Sequence, residues 1–396
     1  MPRDVFVCVG ICGGDRCALH GPGARAPRTL DGVQRRFHRA LAAVLILLIG
    51  GGAARAAVAA ARSDAPAASA RAPRTAAPAP RPRLFAPGSV WNARLPRDAP
   101  LDARSAVLSG VFATEIARER AFRIGPWIET TTSSTPVYTV PRAQRTVRVS
   151  LDGTAPYRRS LRRAFAAVPL PRDARPAAGA DGHLTVVQPS TDRMWEFFGL
   201  RRAHGRWSAA WGGAMRGVSR NPGYYTRRAW PGALRVWGAT ATSLPVAAGL
   251  IRIHELRAGR IDHAIAISIP DTRARMAAWP AQRTDGSLHR ADAIPSGAHF
   301  RLDPALDVRL LRLPPAAEAI ALAAQRYGLI VRDRTLHATG LFAEDPTPTG
   351  RNPYPALFGG RAPIDLLAGF PFDRLQLLRM RLRPVASAHG QPGPVR

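Results

Sequence analysis

The sequence predicts a mainly β protein, an antiparallel β-sandwich or jelly roll with a few peripheral helices. Three observations lead there. Short runs rich in β-branched and aromatic residues alternate at period two, and clusters of turn formers separate them. The regular alternation of strand and helix that a parallel α/β sheet requires is missing. At 46% hydrophobic and 7% aromatic residues, the composition is that of a chain able to bury a core.

Taken in order, the chain begins with a segment that reads as a leader. Arg35-Arg36-Phe37-His38-Arg39 precedes the apolar run Ala40 to Ile49, and small residues including Ala54-Arg55-Ala56 follow. A basic stretch, a short apolar stretch and an A-x-A-like end are the parts of a secretory signal peptide. Residues 1–57 are therefore expected to be a leader with a mis-set start, Val33 being the expected initiator, and the twin arginines hint at a folded-export route. The apolar run falls short of the ~20 residues of a membrane span. No stable span is expected after cleavage, an uncleaved N-terminal anchor being the lesser alternative. Cys8, Cys12 and Cys17 all lie in this leader, so the mature chain would carry no disulfide and no cysteine-ligated metal. Residues 58–83, rich in Ala, Pro and Arg, read as a disordered spacer, 84–384 as a single β-rich domain and 385–396 as a disordered tail. The expected location is secreted or extracellular, with association to the cell envelope.

The formal charge of +30 comes from 57 basic residues that are all arginine. They are scattered through strands, turns and tails rather than gathered on one element with interleaved aromatics, which argues against nucleic acid and for an anionic envelope polymer or polysaccharide as neighbour.

Within the domain, Asp102 can cap a helix whose apolar residues Leu108, Val111, Phe112 and Ile116 follow a 3.6 period. Thr135 to Val140 and Arg145 to Leu151 alternate as strands, as do Leu250 to Ile253, Ile261 to Ile269, His299 to Leu302 and Leu329 to Arg332. Pro315 to Tyr327 reads as a helix with proline near its start and Gly328 past its end. The segment DGHLTVVQPSTDRMWEFF, residues 181 to 198, reads as a hairpin turning at Pro189 to Asp192.

That hairpin carries the candidate chemistry. Symmetric pairing sets Gln188 against Arg193 and Thr185 against Glu196, which puts Asp181, His183, Thr185, Glu196 and Phe198 on one face. Two carboxylates and an imidazole then share a polar patch, where general acid and base work becomes feasible. The competing reading is the solvated side of an ordinary antiparallel sheet. His263, on the strand Ile261 to Ile269, reads either as a satisfied structural histidine or as a member of the same patch. Joined to Asp181, His183 and Glu196, it would form a proton-transfer group or a two-histidine, carboxylate site for a divalent metal. Downstream, Trp211, Asn221, Tyr224, Tyr225 and Trp237 fall in loops rich in Gly and Arg, and stacking rings beside amides suit the recognition of sugars. Each tryptophan taken singly is as readily core. The chain has no Walker phosphate loop, no H-E-x-x-H and no G-x-S-x-G. The acidic pair Glu344-Asp345 reads as a capped turn, with a Ca²⁺-binding loop as the lesser alternative.

The stretches SVWNARLPRDAPLD (89–102), GPWIETTTSSTPVYTVP (125–141), the DGH and WEF pieces of the hairpin, WGGAM (211–215), GRIDHAI (259–265), WPAQRTDG (279–286) and RYGLIVRD (326–333) carry a resemblance. The chain resembles a family of secreted bacterial proteins, frequent in actinobacteria and sometimes joined to sugar-binding modules, with no established activity. The resemblance implies secretion and a shared site at Asp181, His183, Glu196, Asn221 and His263, and leaves the reaction open. The expectation that follows is a secreted glycan-active enzyme, hydrolase or lyase, working on an envelope or environmental polysaccharide. Its alternative is a non-catalytic glycan- or envelope-binding protein.

Overall fold

Two sheets packed face to face position the site. In chain order their strands are β1 (Trp127–Glu129), β2 (Val137–Thr139), β3 (Leu184–Gln188), β4 (Arg193–Phe198), β5 (Trp211–Arg216), β6 (Ile265–Ile269), β7 (His299–Leu302), β8 (Leu329–Arg334), β9 (Gly340–Phe342) and β10 (Leu375–Leu377). The larger sheet runs β1-β9-β6-β8-β7-β10 and the smaller β2-β3-β4-β5. The computed structural model describes residues 83–153 and 156–385. The leader with its cysteines, the spacer up to residue 82 and the tail beyond Val385 lie outside the described residues. The described residues form one compact unit.

The protein is mainly β with few helices, but its sheets are mixed rather than antiparallel. The pairs β1 with β9, β6 with β8 and β2 with β3 are parallel, while β3–β4, β4–β5 and β7–β8 are antiparallel. Two smaller three-stranded sheets are mixed as well. The reason lies in the connections: β6 returns to β8 only after a long excursion that includes the helix Pro315–Arg326, and a crossover of that kind permits a parallel pair that a tight turn cannot make.

The β6 strand shows how its alternation builds the layers. Ile265, Ile267 and Ile269 face the helix Ser105–Ala121 and the helix Pro315–Arg326, in a core with Leu108, Phe112, Ile116 and Ile320. Ala264 and Ala266, on the opposite face, belong to the core shared with the smaller sheet, beside Trp195, Phe197, Tyr225 and Trp237. Small residues on that side leave room for large rings from the other layer. The first helix begins at Ser105, three residues after Asp102; the N-cap position falls on Arg104 rather than on Asp102, whose carboxylate accepts the Arg104 N–H at 3.0 Å just ahead of the helix. The expected strand from Leu250 to Ile253 is reduced to a bridge at Ile251, because a short helix with Glu255 in its first turn starts at Ile253.

The hairpin has the register its turn dictates. Gln188 faces Arg193, Thr185 faces Glu196 and Leu184 faces Phe197, with Asp192 in the left-handed region closing the turn. Both faces are covered: every residue of β3 is buried. At Thr185 and Glu196 the polar face is therefore covered rather than solvated.

Candidate functional site

A cleft of about 760 Å³ opens where the two sheets meet. Asp181 and His183 reach it from the start of the hairpin, and Phe198 and Trp211 from the neighbouring strands. The facing sheet contributes Glu129, Ser268 and Asp333. Arg283 and Asp285 complete it from a loop.

Each wall has a local cause. Gly182, at φ +47°, turns the chain between Asp181 and His183, where an added Cβ would stand 3.0 Å from the Leu200 carbonyl oxygen. On the other wall, Gly340 lies between Glu129 and Ser268: a Cβ there would come within 2.9 Å of the Glu129 Oε1 and 3.0 Å of the Ser268 Oγ. The register between β8 and β6 slips by one residue after Val331, so that Val331 faces Ile267 and Asp333 faces Ser268. This irregularity turns Asp333 into the cleft while Val331 stays in the helix-side core. A bridge between Thr132 and Ala178 draws the end of β1 toward the loop that leads to Asp181.

The electrostatics set these groups apart. Burial pushes the Glu129 carboxyl up to about 7, with the Trp127 indole pulling it the other way. Burial also pushes Asp333 up to about 7, against the Arg332 guanidinium, whose Nε donates to the Asp333 Oδ2 at 3.1 Å. His183 is pushed down by burial against the pull of Asp181, which keeps its ring neutral. Its Nε2 stands 3.3 Å from the Ala239 carbonyl oxygen, and its Nδ1 is buried without a hydrogen-bond partner.

Glu196 sits beneath the cleft with no exposed surface. Its Oε1 accepts the Ala239 N–H at 2.7 Å and its Oε2 the Val246 N–H at 2.9 Å. The segment 239–246 is thereby folded over the hairpin, and its far side is held by Asp333, which accepts the Ala241 N–H at 3.0 Å, and by Arg283, which donates to the Thr240 carbonyl at 2.8 Å. Burial pushes Glu196 up to about 7 in spite of the two N–H donors and the nearby Arg332. The WGGAM stretch serves this arrangement. Gly213 lies opposite Glu196, and a Cβ there would come within 2.2 Å of the Tyr225 hydroxyl, which is turned toward that carboxylate.

The other expected site residues disperse. His263 is held by Glu255, Nε2 to Oε2 at 3.1 Å, and lines a small separate cavity beside Trp91. The two-histidine, carboxylate set is not brought together, and among the described residues no three His, Cys, Asp or Glu side chains are placed to hold a metal ion. Trp237 is fully buried in the core, where it cannot touch a ligand in the cleft. Trp211 does line the cleft, its Nε1 donating to the Val236 carbonyl at 3.2 Å. Asn221, Tyr224 and Tyr225 line a different groove. Sequence reading missed Glu129, Asp333, Arg283 and Asp285. The signal available was their position inside GPWIETTTSSTPVYTVP, RYGLIVRD and WPAQRTDG, stretches which meet DGH and WGGAM at this one cleft.

Compared with family models, with curated proteins and with solved structures, the chain matches none. Among the described residues no helix is long and apolar enough to cross a membrane.

Proposed function

We propose that this protein is a secreted enzyme that hydrolyses a glycan of the bacterial envelope or the surroundings, with the cleft between the sheets as its active site. The observation that carries the reading is Glu129: a half-buried carboxyl pushed up to about 7, lining the same open cleft as Asp181 and His183. A carboxyl protonated near neutral pH can give its proton to a glycosidic oxygen. The bond from that oxygen to the anomeric carbon breaks, and the Asp181 carboxylate takes the proton of the incoming water or bonds the anomeric carbon first. His183 lines the cleft beside Asp181, and Trp211 and Phe198 offer apolar surface to the sugar ring. Glu196, with no exposed surface, shapes the cleft floor through segment 239–246, and Asp333 holds the same segment from the cleft wall.

A lyase is the second reading, favoured by one observation: His183 and Arg283 line the same cleft, an imidazole to abstract a proton beside a uronate and a guanidinium to neutralise its carboxylate. One assay separates them. The protein is incubated with neutral and acidic envelope polysaccharides, with and without chelator, while new reducing ends and the absorbance of unsaturated sugars are followed. Hydrolysis predicts reducing ends without absorbance, and Asp181→Asn should lower the rate by ~10²-fold or more. Absorbance would make it a lyase. A panel bound but left intact would make it a binding protein, and a chelator-sensitive rate would overturn the carboxylate mechanism.

A further inference from the structure

On the other side of Gln282 and Arg283 lies a second concavity of about 920 Å³, which Gln282 lines while Arg283 faces the cleft. Six arginines surround it, Arg216, Arg220, Arg227, Arg228, Arg235 and Arg383, and no carboxylate lines it. The cleft between the sheets differs in kind: there Glu129, Asp181, Asp285 and Asp333 balance Arg158, Arg283 and Arg334. None of the ion pairs among the described residues takes one of the six guanidiniums.

Unbalanced positive charge in a concavity is costly unless something anionic enters it. Arg383 shows the strain in detail. Its Nη2 donates to the Ala281 carbonyl at 3.0 Å, but its Nε is buried without a hydrogen-bond partner. Burial and the neighbouring Arg235 both disfavour its charge. The groove also carries an aromatic platform. Trp279 is 42% exposed and meets Tyr224 edge to face, ring centroids 5.8 Å apart, where a sugar ring could stack.

We infer that this groove binds an acidic polysaccharide, its carboxylate or sulfate groups taken by the arginines and one sugar ring by Trp279. Guanidinium forks match such oxyanions with paired hydrogen bonds. The concavity has the size of a pocket for a few sugar rings. A nucleic-acid duplex would call instead for a basic stripe over an open face. The inference deepens the glycan reading by giving the substrate its charge, and it rests on that reading for the sugar.

The test is a direct binding measurement with the full chain, independent of product release. The probes are an oligogalacturonate, its methyl ester as the uncharged match, a sulfated oligosaccharide and a single-stranded DNA of equal charge. The acidic sugars should bind and the ester should not. Replacing Arg235 and Arg383 by alanine should weaken that binding at least ~10-fold, two charge-assisted contacts being lost, and flatten its salt dependence. The exposed pair Arg227→Ala with Arg228→Ala, which disturbs no core, should act in the same direction, and Trp279→Ala should cost several-fold. Arg145→Ala with Arg148→Ala, in a separate arginine-lined groove, is the charge-matched control. Equal losses in the control, equal binding of the ester, or tighter binding of the DNA would each overturn the inference. Whichever of uronate and sulfate binds more tightly names the anion. A protein that binds the acidic sugar here yet releases no product would uphold the groove and sink only the catalytic reading.

Discussion

Glu129 and Glu196 stand on facing sheets, and burial pushes both carboxyls up to about 7. Their surroundings differ. Glu196 has no exposed surface, and its two oxygens are committed to the Ala239 and Val246 N–H groups. Glu129 is half-buried at the end of a three-residue strand and faces an open cleft. A perturbed carboxyl is thus not by itself a catalytic one: the shift records desolvation, and only access to a reacting atom turns it into chemistry. Glu196 ties a loop down, and Glu129 lines the open cleft.

The comparison breaks most visibly in kinetics. Glu129→Gln should lower kcat/KM by ~10²- to 10⁴-fold, the usual worth of a general acid, and leave the melting temperature nearly unchanged. In the parent protein kcat/KM should fall as pH rises through about 7, because the acid must be protonated to act, and the variant should lose that limb. An active Glu129→Gln enzyme with an unaltered pH profile would remove Glu129 from the mechanism.

Glu196→Ala should do the reverse. It leaves two buried N–H groups without acceptors and Arg332 with one carboxylate fewer nearby, a loss on the order of 3 kcal/mol. Thermal unfolding should show a drop of several degrees. The pH dependence follows from the direction of the shift. A carboxyl raised from 4.5 to about 7 in the fold favours the folded state most below 4.5, and that contribution is lost as pH climbs to about 7. Glu196→Gln should flatten this decline. A variant as stable as the parent, with the same decline, would show that segment 239–246 is held by other means.

The sequence made the hairpin legible and the cleft only half so. Turn formers at Pro189 to Asp192 and alternation on either side determine the pairing of Thr185 with Glu196, because a one-residue slip would exchange the faces. What covers a face is not local information. Segment 239–246 comes more than forty residues later, and nothing in WEF announces that its backbone will fold onto Glu196. Glu129 escaped notice because Trp-Ile-Glu is too short to show a period. Asp333 escaped because a register slip turns it toward the cleft, against the alternation that Leu329 to Val331 establishes. Mixed sheets were hidden for the same reason as the loop: parallel partners such as β6 and β8 meet only through a long crossover.

The two histidines give the finest form of the comparison and the smallest expected effect. His183 meets one acceptor and keeps its other nitrogen empty, which suits a neutral ring. His263 meets two, the Ala264 carbonyl at 2.8 Å from Nδ1 and the Glu255 carboxylate at 3.1 Å from Nε2. Only a doubly protonated ring can donate to both, and although burial opposes the charge, Glu255 and the carbonyl raise this histidine above 6.5, while the pair holds Glu255 below its ordinary range. A raised histidine contributes its full stability below 6.5 and loses it as pH rises through the raised value. A depressed carboxyl contributes above 4.5 and loses its share as pH falls. The pair should therefore help most between those limits. His263→Gln should cost about 1 kcal/mol near pH 6, with the gap to the parent narrowing in alkaline solution, and product release should be unaffected. A variant that melts like the parent but loses activity would return His263 to the site, and would mean that the cavity beside Trp91 communicates with the cleft through the ridge of β6.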